Sequence, residues 1–157
     1  RRVDFSWHAT MNKAKDDYMK KLTPQEVNLM SPLGLAYIGD CIYELITREH
    51  IVSNGNMPVA KLHQETVSIV CAAAQSAAVD IILNSLSEEE LAIYKRGRNA
   101  NGSHVPKNAD PAQYRRATGL EALFGYLYLN RRYDRIQSLY EQIYDVTKNS
   151  AEGKEGC

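Results

Sequence analysis

Residues 31–46 read SPLGLAYIGDCIYELI, and the organisation of the whole chain follows from this stretch. Ser31 followed by Pro32 begins a helix, because a serine hydroxyl caps free backbone N–H groups and proline needs no N–H at the first helical position. The following residues are mostly apolar, so this helix is predicted to be largely buried. Asp40 lies in its middle beside Gly39, and an ionised carboxylate on an apolar helix is costly unless a positive charge meets it.

A second apolar stretch raises the same question. Residues 118–129 read TGLEALFGYLYL, in which Glu121 is the only charged residue. Its neighbours three and four residues away on a helix are small or apolar. Asp40 and Glu121, two isolated carboxylates that each lie near a glycine on an apolar helix, could share one cation. The alternative is that each carboxylate has a structural role, since structural ion pairs also occur on such helices.

The remaining patterns are also helical, with a polar cap or a proline at most helix starts and apolar residues at helical spacing. The predicted helices span residues 24–30, 32–50, 59–84, 88–97, 111–130 and 133–146, and residues 98–110 are predicted to form an exposed loop. Gly97 is predicted to end the helix that Ser87 caps. The sequence contains no alternating strand pattern and no repeat, so the fold is predicted to be all-α.

Length and composition restrict the class of protein. The 157 residues fit one domain with a core of its own. Lys and Arg (19) balance Asp and Glu (19), so any binding of nucleic acid has to come from a local patch. The three cysteines have no metal-ligand spacing, and an odd number fits a reducing compartment. The longest apolar stretch, residues 68–83, is broken by polar residues and is too short for a membrane span, so no membrane partner is expected.

The predicted domain organisation has three parts. Residues 1–22 form an N-terminal arm, residues 23–147 form the helical domain, and residues 148–157 form a polar, disordered tail. The chain begins without Met, so residues 1–10 are interpreted as an expression remnant or as upstream read-through, with Met11 as the expected start.

Several short motifs occur in an order that is typical of one enzyme family. They are LAYIGD (35–40), KRGRNA (95–100), VPKN (105–108), YR (114–115) and EALFGYLYL (121–129). Together they resemble the Mini-III ribonucleases, the short branch of the ribonuclease III family that lacks a double-stranded-RNA-binding domain. The resemblance extends over residues 32–144, which is nearly the whole chain.

The resemblance implies the helical fold of the ribonuclease III catalytic domain, in a homodimer that cuts both strands of duplex RNA. In this family the aspartate of the Gly-Asp motif and the glutamate of a later helix bind catalytic magnesium, which maps Mg²⁺ onto Asp40 and Glu121. Longer family members carry two further acids where this chain has Ala36 and Thr118, so the number of metal ions stays open. Glu44 is either a supplementary ligand or a group that supports the ligands from behind, or else a solvent-facing or helix-pairing residue.

A local basic patch offers contacts to phosphate. Residues 95–116 contain six basic residues and a single acid, Asp110. Duplex RNA is bound mainly through its phosphates, its 2′-hydroxyls and its shape. The residues predicted to contact RNA are Arg98, Asn99, Lys107, Asn108 and Arg115. The alternative is a solvated charged surface in which basic residues pair with helix ends.

The resemblance also implies a biological role. This role is maturation of ribosomal RNA, with the 23S precursor as substrate and a ribosomal protein that presents it. The expected location is the bacterial cytoplasm, with an organelle of bacterial descent as the alternative. The second hypothesis is a non-catalytic duplex-RNA-binding or ribosome-assembly module on the same fold, which the missing acids favour. The third is a helical interaction protein, which would show no salt-dependent binding to duplex RNA.

Overall fold

The computed structural model describes residues 21–101 and 104–152, with side chains described up to residue 147. These ranges contain seven α-helices, one short 3₁₀ turn and no strand, so the prediction of an all-α fold is confirmed there. The helices are α1 (Pro24–Leu29), α2 (Pro32–Ser53), α3 (Val59–Val70), α4 (Ala72–Ile82), α5 (Glu88–Arg98), α6 (Pro111–Leu129) and α7 (Tyr133–Glu152), and the 3₁₀ turn is Leu83–Ser85.

Helix α6 is the centre of the domain. Every residue from Ala117 to Leu127 is buried except Glu121, which is partly buried. Helices α2, α4, α5 and α7 all pack against α6, and Leu120 and Phe124 are completely inaccessible to solvent. A helix that is apolar on all sides is expected in this position, because it has no face to present to water.

Two glycines allow α2 and α6 to cross with their backbones in contact. A Cβ atom on Gly39 would lie 1.6 Å from the carbonyl oxygen of Glu121, and a Cβ atom on Gly125 would lie 1.9 Å from that of Leu35. Only glycine fits at such a close approach of two backbones. The crossing brings Asp40, the residue after Gly39, to the turn of α6 that carries Glu121.

The predicted helix starts are confirmed. At both capping boxes the hydroxyl of the cap accepts a hydrogen bond from the N–H three residues later, and the glutamate at that position accepts one from the N–H of the cap. The pairs are Thr23 with Glu26 and Ser87 with Glu90. Asp110 Oδ1 accepts a hydrogen bond from the Ala112 N–H at 2.8 Å and so fixes the start of α6.

The predicted single helix over residues 59–84 is wrong. The chain breaks at Cys71, whose backbone is extended (φ −65°, ψ 154°), and the helices on either side are bent by 54°. The bend lets α3 pack on α2 while α4 packs on α6 and α7. No single described helix is long and apolar enough to cross a membrane, although α3 and residues 72–85 reach that length and composition as a bent pair.

Three further helix ends differ from the prediction. Gly97 does not end α5 but lies inside it, where a Cβ atom would meet that of Ala122 at 2.6 Å, so this glycine serves the packing of α5 on α6. Helix α2 continues to Ser53, three residues further than predicted. Helix α7 continues to Glu152, into the segment predicted as a disordered tail. Residues 1–20 of the predicted arm and residues 153–157 of the tail lie outside the described residues.

Candidate active site

Asp40 and Glu121 line the same pocket. The sequence predicts this, because each is an isolated carboxylate near a glycine on an apolar helix. The pocket has a volume of about 450 Å³ and lies between α2, the end of α3, α4 and α6. Asp40 is exposed at its mouth, whereas Glu121 is partly buried. Tyr37 and Tyr114 also line the pocket, so aromatic side chains from α2 and α6 contribute to its walls.

The two carboxylates have raised pKa values. Burial, and to a smaller extent the negative charge of Asp40, raise the pKa of Glu121 to about 7. Burial and the neighbouring charge of Glu44 raise the pKa of Asp40. Within the described part of the chain no basic side chain forms an ion pair with either carboxylate, so the structural ion pairs considered from sequence do not occur there. The pocket therefore holds negative charge without a protein counter-charge.

The positions of the two missing acids also face this pocket. Ala36 and Thr118 both line it, and the Thr118 hydroxyl donates a hydrogen bond to the Tyr114 carbonyl at 3.0 Å. Across residues 21–101 and 104–147 no group of three or more His, Cys, Asp or Glu side chains is arranged to hold a metal. A cation in this pocket would therefore meet two carboxylates, which is the number that Mg²⁺ commonly takes from a protein.

Glu44 is occupied elsewhere. Its Oε1 accepts a hydrogen bond from Arg48 Nε at 2.8 Å, one helical turn further along α2. It does not line the pocket. This ion pair lies within α2, and it favours a structural role for Glu44 over that of a supplementary ligand.

Gln75 is the pocket residue that the sequence did not reveal. It comes from α4, is only 1 % exposed, and lies beside Glu121, whose pKa its amide lowers. The contact falls short of a hydrogen bond, because Gln75 Nε2 has no hydrogen-bond partner within the described part of the chain. The signal in the sequence is a lone glutamine within the alanine-rich run of α4, since a polar group buried on such a helix normally has a hydrogen-bond partner.

Three of the five predicted RNA-contacting residues lie together. Arg98, Asn99 and Arg115 line a second cavity of about 640 Å³ between α4, α5 and α6, together with Lys95 and Arg116. We call this cavity the basic groove, defined by Lys95, Arg98, Asn99, Arg115 and Arg116.

The side chains of the basic groove are held in different ways. Arg98 Nε donates to Asn99 Oδ1 at 3.1 Å, and its guanidinium lies 5.7 Å from the centre of the Tyr94 ring. Arg116 is engaged by the protein, since it donates to the Ser76 carbonyl at 3.0 Å and pairs with Asp80. Arg115 is exposed and forms no ion pair within the described residues, so its charge is free to meet a ligand.

Lys107 and Asn108 are not brought to either cavity. Both are exposed in the turn that precedes α6, where the Ala109 N–H donates to the Pro106 carbonyl at 3.0 Å. Their predicted contact with RNA stays a prediction.

Comparison with known proteins agrees with the resemblance seen in the sequence. The Ribonuclease III domain family matches residues 33–132. A Mini-ribonuclease 3 from a Thermoanaerobacter species is 48 % identical over 120 residues, which are 76 % of this chain and 84 % of that protein. The Mini-ribonuclease 3 of Clostridium tetani is 39 % identical over 136 residues, or 86 % of this chain and 90 % of that protein.

A solved structure shares the fold of this chain. The crystal structure of a Fusobacterium nucleatum protein superimposes with a TM-score of 0.66 at 33 % identity, over 71 % of this chain and 90 % of that chain. The chain therefore belongs to the ribonuclease III family, among its Mini-ribonuclease 3 members, and is an endoribonuclease.

Proposed function

We propose that this endoribonuclease cleaves double-stranded RNA with a magnesium ion held between Asp40 and Glu121. One observation carries the proposal: two carboxylates from two helices face one pocket, and no basic side chain of the described residues pairs with them. Membership of the ribonuclease III family supplies the reaction, hydrolysis of phosphodiester bonds in duplex RNA.

The residues fit a magnesium ion by their chemistry. Mg²⁺ binds oxygen ligands, keeps several waters and takes only one or two carboxylates from a protein. When bound, Mg²⁺ would lower the pKa of a water molecule, and it would stabilise the negative charge that develops on the phosphodiester. The raised pKa of Glu121 is the expected property of a ligand whose positive partner is a bound cation rather than a side chain. The absence of an acid at Ala36 and Thr118 favours a single ion in each pocket.

The basic groove supports binding of the RNA backbone near this pocket. Arg115 and Glu121 are both on α6, six residues apart, which separates their Cα atoms by roughly 9 Å along the helix axis. A phosphate held by Arg115 and Arg98 would thus lie within a few nucleotides of the two carboxylates. Phosphate contacts of this kind fix the position of a duplex and supply most of its affinity.

Assembly into a homodimer is part of the proposal. Several large apolar side chains are exposed in the described part of the chain, among them Leu29 (86 %), Val59 (80 %) and Tyr37 (76 %). Tyr37 also lines the carboxylate pocket, so a second copy that covered it would contribute to the walls of the site. Cleavage of both strands requires two sites, and a dimer provides them.

The resemblance implies a natural substrate, a partner and a location. We propose a precursor of 23S ribosomal RNA as substrate, a ribosomal protein as the presenting partner, and the bacterial cytoplasm as the location. The curated relatives compared above are bacterial, which supports the last of these.

The test is cleavage of a long duplex RNA by the purified chain in Mg²⁺ and in EDTA. We expect cleavage only with the metal, and we expect Asp40→Asn and Glu121→Gln each to reduce it at least about 10³-fold, because either change removes a charged ligand. Glu44→Gln is the matched control, since it removes a carboxylate one turn from Asp40 that Arg48 already engages. A wild type that binds the duplex and never cuts it would contradict the proposal and favour the hypothesis of a non-catalytic RNA-binding module.

Arg115→Ala is expected to weaken binding of duplex RNA and to lower the slope of log Kd against log salt by about one, because one phosphate contact is lost. Cooperative unfolding should be unchanged, since the Arg115 side chain is exposed. The measurement is fluorescence anisotropy of a labelled duplex at several salt concentrations. Lys61→Ala is the control, because Lys61 is an exposed base on α3 that does not line the basic groove. An unchanged slope for Arg115→Ala would remove this residue from the RNA interface.

A further inference from the structure

Gln75 is a buried polar side chain that the fold alone does not explain. It is 1 % exposed, and its Nε2 has no hydrogen-bond partner within residues 21–101 and 104–147. An unpaired buried amide N–H destabilises the fold, so an apolar side chain of the same size would stabilise this position. The alanines around Gln75 on α4 show that small apolar residues are accepted on this helix.

The neighbours of Gln75 identify the group that its amide can serve. In the carboxylate pocket the Thr118 hydroxyl donates to the Tyr114 carbonyl, and its oxygen is a neutral acceptor, which is weaker than an ionised carboxylate. Glu121 lines the same pocket as Gln75 and is the carboxylate acceptor beside its amide. Asp40 lies at the exposed mouth, where water can solvate it.

We propose that Gln75 is a positioning residue, whose Nε2–H group donates to one oxygen of the ionised Glu121 carboxylate and turns the other oxygen toward the cation. This inference rests on the proposed function, because it needs a cation between Asp40 and Glu121. Ligand side chains commonly depend on such a partner, and its removal typically costs 10–100-fold in metal affinity.

Gln75→Leu and Gln75→Met remove the donor at nearly the same volume. We expect both variants to fold, because they replace an unpaired buried amide with an apolar group. We expect their affinity for Mn²⁺, read from the EPR signal of the free ion, to fall about 10–100-fold. Cleavage at limiting Mn²⁺ should fall by a similar factor and return toward the wild-type rate at saturating Mn²⁺, while KM for duplex RNA stays the same.

Ser76→Ala is the matched control, since Ser76 is the buried neighbour of Gln75 on α4 and does not line the pocket. It should bind Mn²⁺ as the wild type does. If folded Gln75→Leu and Gln75→Met bind Mn²⁺ with wild-type affinity, the inference is overturned while the proposed function stands. A wild type that binds no Mn²⁺ would overturn both. A lower kcat at saturating Mn²⁺ with unchanged Mn²⁺ affinity would also contradict the inference, because positioning of a ligand acts through metal binding.

Discussion

Gly39→Ala is expected to abolish the cooperative fold at 25 °C. The added Cβ would lie 1.6 Å from the Glu121 carbonyl oxygen and 2.8 Å from the Gly125 backbone nitrogen, so backbone atoms rather than flexible side chains would have to move. Helices α2 and α6 can separate only by opening the core that contains Leu35 and Phe124, which are buried completely or nearly so. Over-packing costs about 1–3 kcal/mol even where side chains can adjust, and here they cannot, so we expect a loss above about 4 kcal/mol.

The measurement is urea unfolding followed by circular dichroism. Gly34→Ala is the matched control, because it is a glycine of the same helix whose added Cβ would meet only side-chain atoms, the nearest being Ser31 Oγ at 3.0 Å. The control should change the free energy of unfolding by no more than about 1 kcal/mol, which is the gain in helix propensity from glycine to alanine. A Gly39→Ala protein as stable as Gly34→Ala would show that α2 and α6 do not cross in backbone contact.

Glu121→Gln is expected to stabilise the fold at pH 8 in the absence of divalent cations, although it abolishes cleavage. The folded-state pKa of Glu121 is about 7 against an ordinary value of 4.5, so the folded protein holds this proton more tightly than the unfolded chain. At a pH between these two pKa values, Glu121 is ionised in the unfolded chain but protonated in the folded protein. The free energy of unfolding therefore falls as the pH rises. The loss is complete above pH 7 and reaches about 3 kcal/mol. The amide variant never acquires the charge and avoids this loss.

Unfolding by urea at pH 5 and pH 8, both in EDTA, measures this difference. We expect Glu121→Gln to exceed the wild type by about 3 kcal/mol at pH 8 and by less than about 1 kcal/mol at pH 5. Mg²⁺ should then raise the stability of the wild type at pH 8 but not that of the variant, because only the wild type binds it. A variant less stable than the wild type at pH 8 would mean that a cationic group of the protein neutralises Glu121.

Local signals in the sequence predicted most of the helices and the two central carboxylates. The capping boxes at Thr23 and Ser87 act within four residues, so their sequence is enough to place a helix start. Asp40 and Glu121 were recognisable because each is a charge on an apolar helix, which is rare without a partner. The nearby glycines, Gly39 and Gly125, gave a further sign, and the structure explains them as the point where the two helices cross.

The parts that the sequence did not predict depend on contacts between distant segments. The break at Cys71 has neither proline nor glycine to mark it, and it exists because α3 and α4 pack on different helices. Gly97 resembles a helix end in sequence, but α6 passes too close for a larger residue. Gln75 lies in an alanine-rich run that does not show which residue it contacts, because only the packing of α4 on α6 brings it to Glu121. Tertiary packing thus overrides local preference at these three positions.

The proposed site takes one divalent cation between Asp40 and Glu121. Isothermal titration calorimetry of Mg²⁺ at pH 8, with no RNA present, measures this directly for the wild type, Asp40→Asn and Glu121→Gln, with Glu44→Gln as control. We predict one saturable binding event per chain in the wild type and in Glu44→Gln, and its loss in both of the other variants. Equal Mg²⁺ binding by the wild type, Asp40→Asn and Glu121→Gln would contradict the claim.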